Sequence, residues 1–202
     1  AALIIKLILP EADLQMIIIV FAIISASYTI PGGLSSAINA ELIQAIILIL
    51  GSVILTIFCF QQGGDYFYGL FADGDMLVKL IRPLSDSATP WLGLIVGVPI
   101  LGIYFWANNQ TLVQRVLSSR NIDEGRKGVI FTGYLTLLTL FIVAMPGLIA
   151  RHLFPGLEKP DMVYPNMVLQ LMPIGLLGVM LSALLSALTS TLSAILNSTS
   201  TL

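Results

Sequence analysis

The sequence predicts an all-α membrane protein, a polytopic bundle of transmembrane helices. Of its 202 residues, 57% are hydrophobic and only 10% are charged, whereas soluble domains carry about a quarter charged residues. Its mean hydropathy is +0.97. Uninterrupted apolar runs approach the roughly 20 residues that a helix needs to cross the bilayer, and they lack the alternation of barrel strands. The predicted spans are roughly residues 14–30, 42–60, 91–108, 128–150 and 168–202.

The charge distribution predicts the orientation of these spans. The segment "QRVLSSRNIDEGRK" holds the one dense basic cluster, Arg115, Arg120, Arg126 and Lys127, and the positive-inside rule assigns it to the cytoplasm. Alternation then places the stretches 61–90 and 151–165 outside. The lipid bilayer is the expected partner, and no nucleic-acid partner is predicted. Because the first residue is Ala and both ends lie in apolar runs, we expect an internal fragment of a longer polytopic protein.

Two stretches are predicted to interrupt the spans. The letters "PGG" in "YTIPGGLSS" should end the first span and turn the chain. In the span that begins at Trp91, Gly97, Pro99 and Gly102 favour a kink or break near the middle of the membrane, because proline removes a backbone hydrogen bond. The span is then either an ordinary proline-kinked helix or a broken helix of the kind that exposes backbone dipoles in transporters.

The last segment, "SALTSTLSAILNSTSTL", crowds hydroxyls into an apolar helix. At about 100° per residue, one face carries Ser182, Ser186, Thr189, Ser190, Ser193, Asn197 and Ser200. Small hydroxyl residues permit close helix packing. Alternatively, hydroxyls and backbone carbonyls can ligate an alkali cation without the cost of burying a charge.

The residues give little support to catalysis. There is no His/Glu pair at metal spacing, no glycine-rich phosphate loop and no serine with a plausible base. Neither enzymatic activity nor an organic cofactor is therefore predicted. Cys59 is the single cysteine and lies in an apolar run, so we expect it to pack rather than to form a disulfide or a metal site.

Three stretches resemble the sodium/solute symporter family, specifically its sodium/glucose cotransporter branch. They are "YTIPGGLSS", "YFWANNQTLVQRVLSSRN" and the serine-rich closing helix, and "AMPGLIAR" and "YPNMVLQLMPIGLLGVMLSALL" extend the likeness. The resemblance implies a LeuT-like inverted-repeat fold in the plasma membrane. Residues 1–202 would form a single transmembrane transporter fragment, from the end of core helix three through most of core helix eight.

The resemblance also implies half of a sodium site on the closing helix. By position, its ligands are the backbone carbonyl of Ala187 and the hydroxyls of Ser190 and Thr191. The family usually has Ser where this chain has Thr191, and Thr keeps the hydroxyl. The other half of the site belongs to the first core helix, which this sequence does not include.

On the solute side, the resemblance assigns substrate-binding or gating positions to four residues. Phe105 stands where the sugar transporters have a gating Tyr, and Trp106 matches their next aromatic residue. Gly102 stands where a polar sugar contact is usual, and Thr136 stands where a Lys is usual. These replacements weaken the case for glucose or galactose, and a smaller, differently hydroxylated or anionic solute is an alternative.

The implied function is sodium-coupled symport of a sugar or a related small polar solute, such as a polyol, by alternating access. Sodium would be the coupling ion, with no other cofactor. Two alternatives are kept: a symporter for a non-sugar solute, and a transporter-like sensor or scaffold that has lost transport.

Overall fold

The structure is a computed structural model that describes residues 11, 13–73, 75, 78–79, 81–156 and 160–201. All regular secondary structure in these residues is helical. The α-helices are α1 (Leu14–Ala72), α2 (Trp91–Ile103), α3 (Gln110–Leu117), α4 (Ile122–Thr139), α5 (Met145–Leu153), α6 (Val163–Leu171) and α7 (Ile174–Ser200). Two wide π-helical turns, Tyr104–Asn108 and Leu140–Ala144, and a 3-10 turn at Pro160–Met162 lie between them. The predicted all-α class is confirmed.

Five helical segments of the described chain are long and apolar enough to cross a membrane. They are Gln15–Ser35, Ala37–Ala72, Trp91–Asn108, Ile122–Leu153 and Ile174–Ser200. Each overlaps one of the five predicted spans. The protein is therefore an integral, multi-pass membrane protein, as predicted, while the orientation of the spans stays a prediction.

Two glycines interrupt α1. Gly33 has φ 56° and ψ −156°, a conformation that essentially only glycine adopts without strain. The turn predicted at "PGG" is therefore present at Gly33. It involves fewer residues than expected, because Pro31 lies inside the helix. A second break, at Gly63 (φ −135°, ψ 18°), was not predicted. Any side chain at Gly63 would overlap the Cγ2 atom of Ile149, so this glycine permits close approach of two helices.

The expected irregularity in the third span occurs later than predicted. Gly97, Pro99 and Gly102 all lie within α2, which remains helical. The regular geometry ends instead at the π-helical turn Tyr104–Asn108, and Asn109 is extended, with φ −71° and ψ 111°. The Asn109 side chain then caps α3, because its Oδ1 accepts a hydrogen bond of 3.0 Å from the backbone N–H of Thr111.

The described residues divide into two compact units. One lies within Ala1–Gly64 and Leu137–Leu202, and the other is Asp65–Thr136. The core of the first unit is apolar and fully buried; among its members are Leu55, Cys59, Ile149, Met167 and Met180. The Sγ of Cys59 lies 3.6 Å from the backbone carbonyl of Pro146, so the predicted packing role of this cysteine is confirmed.

Candidate functional site

One side of α7 packs against the first part of α1 through buried hydroxyls. The Ser25 hydroxyl donates to the backbone carbonyl of Thr189 at 3.1 Å, and the Thr29 hydroxyl donates to Ser193 Oγ at 2.6 Å. Ser25 and Thr29 are four residues apart on α1, and Thr189 and Ser193 are four residues apart on α7, so the two bonds form successive rungs on facing surfaces. For this part of the hydroxyl-rich face, the structure supports the close-packing interpretation.

Two of the predicted sodium ligands, Ala187 and Thr191, lie on a different side of the same helix, and Ser190 lies between the two sides. Ala187 and Ser190 are half-buried, and Thr191 is exposed. The Thr191 hydroxyl donates to the carbonyl oxygen of Ala187 at 3.0 Å. Thr191 also lines a groove of about 310 Å³ between α1 and α7, in which every other lining side chain is apolar. Two of the three predicted ligand oxygens therefore lie together beside a groove.

The spacing of these two oxygens, which the other back-bonded hydroxyls of α7 share, is compatible with a hard cation. Calcium, which is also a hard cation, takes oxygen ligands at about 2.3–2.6 Å. Two oxygens that are 3.0 Å apart and each about 2.4 Å from one ion subtend an angle of about 77° at that ion. To bind a shared ion, the Thr191 hydroxyl hydrogen must turn away from the Ala187 carbonyl. One lone pair of each oxygen can then face the ion. Both ligands are neutral, so no carboxylate has to be buried.

Other hydroxyls of α7 are satisfied by their own helix. Ser182 donates to the Gly178 carbonyl at 2.8 Å, and Thr199 donates to the Ile195 carbonyl at 2.9 Å. Both residues are exposed, and serine and threonine commonly bond to the preceding turn in this way. The Ser182 hydroxyl is therefore bonded to α7 itself, while Ser182 lines a groove with Gln44 and Ile47 of α1.

Two of the predicted solute-side residues lie together in the π-helical turn after α2. The rings of Phe105 and Trp106 meet edge to face, with centroids 5.4 Å apart and planes at 88°. Each side chain is 48% exposed. Gly102 is half-buried, and no heavy atom lies within 4 Å of the position that its Cβ would occupy. The turn therefore presents an aromatic pair beside open space.

Thr136 lies on α4 and is exposed. Its hydroxyl donates to the Thr132 carbonyl at 2.9 Å, and the Thr132 hydroxyl donates to the Gly128 carbonyl at 2.8 Å. Because a hydroxyl has one hydrogen and two lone pairs, Thr136 in this arrangement offers a ligand an acceptor rather than a donor. A Lys at this position would offer only donors.

One part-buried polar contact has no counterpart among the residues predicted from the sequence. Ser52 donates to the Leu48 carbonyl at 2.6 Å, and its Oγ lies 2.6 Å from the Tyr164 hydroxyl. Since Ser52 has a single hydroxyl hydrogen, Tyr164 is the donor between them. Burial raises the pKa of the Tyr164 hydroxyl. A single serine in an apolar span does not by itself predict a polar contact, and its partner Tyr164 is 112 residues away in the sequence.

Comparison with known proteins identifies the family. The model of the sodium:solute symporter family matches residues 1–202 of the chain. The chain belongs to the sodium:solute symporter family. This is a family of transporters, and the expectation that the protein is not an enzyme is confirmed.

Curated relatives and a solved structure agree with this membership. Sodium/glucose cotransporter 1 of Ovis aries is 37% identical over 94% of this chain and 34% of its own length. Solute carrier family 5 member 4A of Mus musculus is 35% identical over 94% of this chain and 35% of its own length. The chain thus spans about a third of the length of these relatives.

A Na⁺-coupled sialic acid symporter, in its substrate-bound outward-open state, superposes with a TM-score of 0.78 over 98% of this chain and 44% of that chain. At 22% identity, this likeness shows the fold alone. The predicted helix bundle, part of a LeuT-like transporter fold, is confirmed.

Proposed function

We propose that the protein is a sodium-coupled secondary active symporter that imports a sugar or a related small polar solute across the plasma membrane. The observation that carries the proposal is family membership, and the neutral oxygens Thr191 Oγ1 and Ala187 O, 3.0 Å apart on a membrane-spanning helix, are candidate sodium ligands. Family membership supports symport, and the names of relatives such as sodium/glucose cotransporter 1 support a sugar. Residues 1–202 would run from the end of core helix three through most of core helix eight.

In the proposed mechanism, sodium binds to the carbonyl of Ala187 and the hydroxyls of Ser190 and Thr191, with further ligands from a core helix outside this sequence. A ligand shifts a conformational equilibrium only by its differential affinity for the two states. Sodium would bind the outward-open state more tightly and so favour it. The solute then binds near Gly102, the Phe105–Trp106 pair and Thr136, and each ligand tightens the binding of the other.

The experiment is sodium-dependent uptake by the intact protein with both Ser190 and Thr191 replaced by Ala. We expect sodium-stimulated uptake to be lost, because two of the three proposed ligands on α7 disappear. Thr191→Ser keeps the hydroxyl and should keep the sodium dependence. Ser182→Ala with Thr199→Ala is the matched control, since it removes one Ser and one Thr hydroxyl that are exposed and bonded to α7 itself. Normal sodium dependence in the Ser190/Thr191 variant would reject the site.

A non-sugar solute is a second candidate, and the solute-side residues favour considering it. Phe105 has no hydroxyl, Gly102 has no side chain, and the Thr136 hydroxyl already donates to its own helix. Uptake of a panel of sugars, polyols and anionic solutes separates the candidates. Phe105→Tyr with Thr136→Lys should raise uptake of glucose or galactose if these positions contact the solute. A chain that binds a solute but transports none of the panel would instead be a sensor.

A further inference from the structure

The turn between α3 and α4 forms a groove that the proposed transport mechanism does not use. Its volume is about 590 Å³. The apolar lining comes from Val116, Leu117, Ile122, Val129 and Ile130. Leu117, the last residue of α3, is 78% exposed, and Ile122, the first residue of the span Ile122–Leu153, is 73% exposed.

Positive charge is concentrated in the segment that forms this groove, and Arg120 lies in sequence between two of its lining residues, Ser119 and Asn121. Four cations, Arg115, Arg120, Arg126 and Lys127, and two carboxylates, Asp123 and Glu124, lie between residues 115 and 127, which leaves a net charge of +2. Arg126 lines the groove itself. Its guanidinium lies 3.9 Å from Asp123, and Lys127 lies 3.0 Å from Glu124. Both ion pairs are highly exposed and therefore weak, so Arg126 and Lys127 remain available to an anionic partner.

We propose that this groove binds an anionic phospholipid of the cytoplasmic leaflet. An acyl chain would pack on the apolar lining, and the phosphate would lie between Arg126 and Arg120. Charge complementarity and apolar exposure together favour this ligand: a soluble anion would leave the lining in water, and a neutral lipid would leave the cations unmatched. Clusters of four or more basic residues beside a membrane helix attract anionic lipids, and the positive-inside rule puts this turn at the anionic leaflet.

The test is a titration of the intact, delipidated protein in detergent with phosphatidylglycerol, followed by native mass spectrometry. In Arg120→Gln/Arg126→Gln we expect a dissociation constant about 25-fold higher, since each basic residue near an anionic membrane contributes about fivefold. Lys79→Gln/Arg151→Gln is the matched control, because it removes the same charge from the stretches predicted to lie outside. Equal losses in the two variants, or no loss in either, would overturn the proposal.

A second measurement tests the groove rather than the charge. Val129→Trp fills the lining while it keeps every cation, and it should weaken phosphatidylglycerol binding. A fluorophore on Leu117→Cys, with other accessible cysteines replaced, should be quenched by brominated anionic lipid in vesicles. An unquenched label would mean that another part of the protein covers the groove. Either that result or unchanged binding in Val129→Trp contradicts the proposal. Both readouts are independent of transport and of the proposed sodium site.

Discussion

The hydrogen bond between Thr29 and Ser193 joins α1 to α7 and provides the sharpest test of how the first unit is held together. Thr29 is 6% exposed and Ser193 is completely buried, and their hydroxyl oxygens are 2.6 Å apart. Thr29→Val keeps the shape and removes the donor. Ser193→Ala removes the acceptor. Each change, alone and combined, forms a double-mutant cycle that isolates the energy of the pair.

The expected coupling energy follows from burial and from the alternatives left to each hydroxyl. Hydrogen bonds between membrane helices average about 0.6 kcal/mol and reach about 1.7 kcal/mol. The values stay small because an abandoned hydroxyl can bond to the preceding turn of its own helix. Here both partners are buried and the bond is short, so we expect a coupling of about 1 to 1.7 kcal/mol, in the upper part of that range.

The assay is reversible unfolding of the intact protein in mixed micelles, with the four members of the cycle compared under one condition. Thr29→Val combined with Thr199→Ala serves as the control cycle. Thr199 is exposed and lies about 9 Å further along the helix axis than Ser193, so its effects should add to within about 0.5 kcal/mol. A coupling near zero for Thr29 and Ser193, or one no larger than the control, would refute the assignment of this contact as a stabilising rung.

Two further predictions concern the packing around α1. Gly63→Ala should lower the free energy of unfolding by about 1–3 kcal/mol, because the added methyl overlaps buried Ile149. Gly69→Ala is the control, since a methyl there meets nothing within 4 Å. Equal stabilities of the two variants would contradict the close approach of Gly63 to Ile149. Tyr164 has a raised pKa in the folded protein, so its contribution to stability should be present below its unfolded pKa of about 10 and decline as the pH rises through the folded value. Tyr164→Phe should remove this part of the alkaline loss of stability and should also lose the bond to Ser52. An unchanged alkaline unfolding profile in this variant would contradict the raised pKa of the Tyr164 hydroxyl.

Properties set by local sequence were the ones the sequence predicted well. The five spans follow from the length and hydropathy of apolar runs, and these do not depend on which helices become neighbours. The bond from the Thr136 hydroxyl to the preceding turn has the same local origin, because a threonine in a helix can reach the carbonyl four residues earlier. The hydrogen bond from the Thr191 hydroxyl to the Ala187 carbonyl is of the same kind.

Features that depend on a partner helix were harder to predict. Which side of α7 is buried depends on Ser25 and Thr29, which lie 164 residues away from their partners. The break at Gly63 reflects the closeness of Ile149, and nothing in the local sequence identifies that neighbour. In the third span, glycine and proline propensity pointed to the stretch from Gly97 to Gly102. That stretch is helical, and the irregular turn follows it.

Solute accumulation by the intact protein in proteoliposomes tests the central claim of sodium-coupled symport most directly. With an inward sodium gradient, we expect the solute to reach a higher concentration inside the proteoliposomes than outside. With sodium equal on both sides, or replaced by choline, the solute should at most equilibrate. Accumulation that is the same with and without the sodium gradient, or binding without any sodium-driven uptake across the solute panel, would contradict the account.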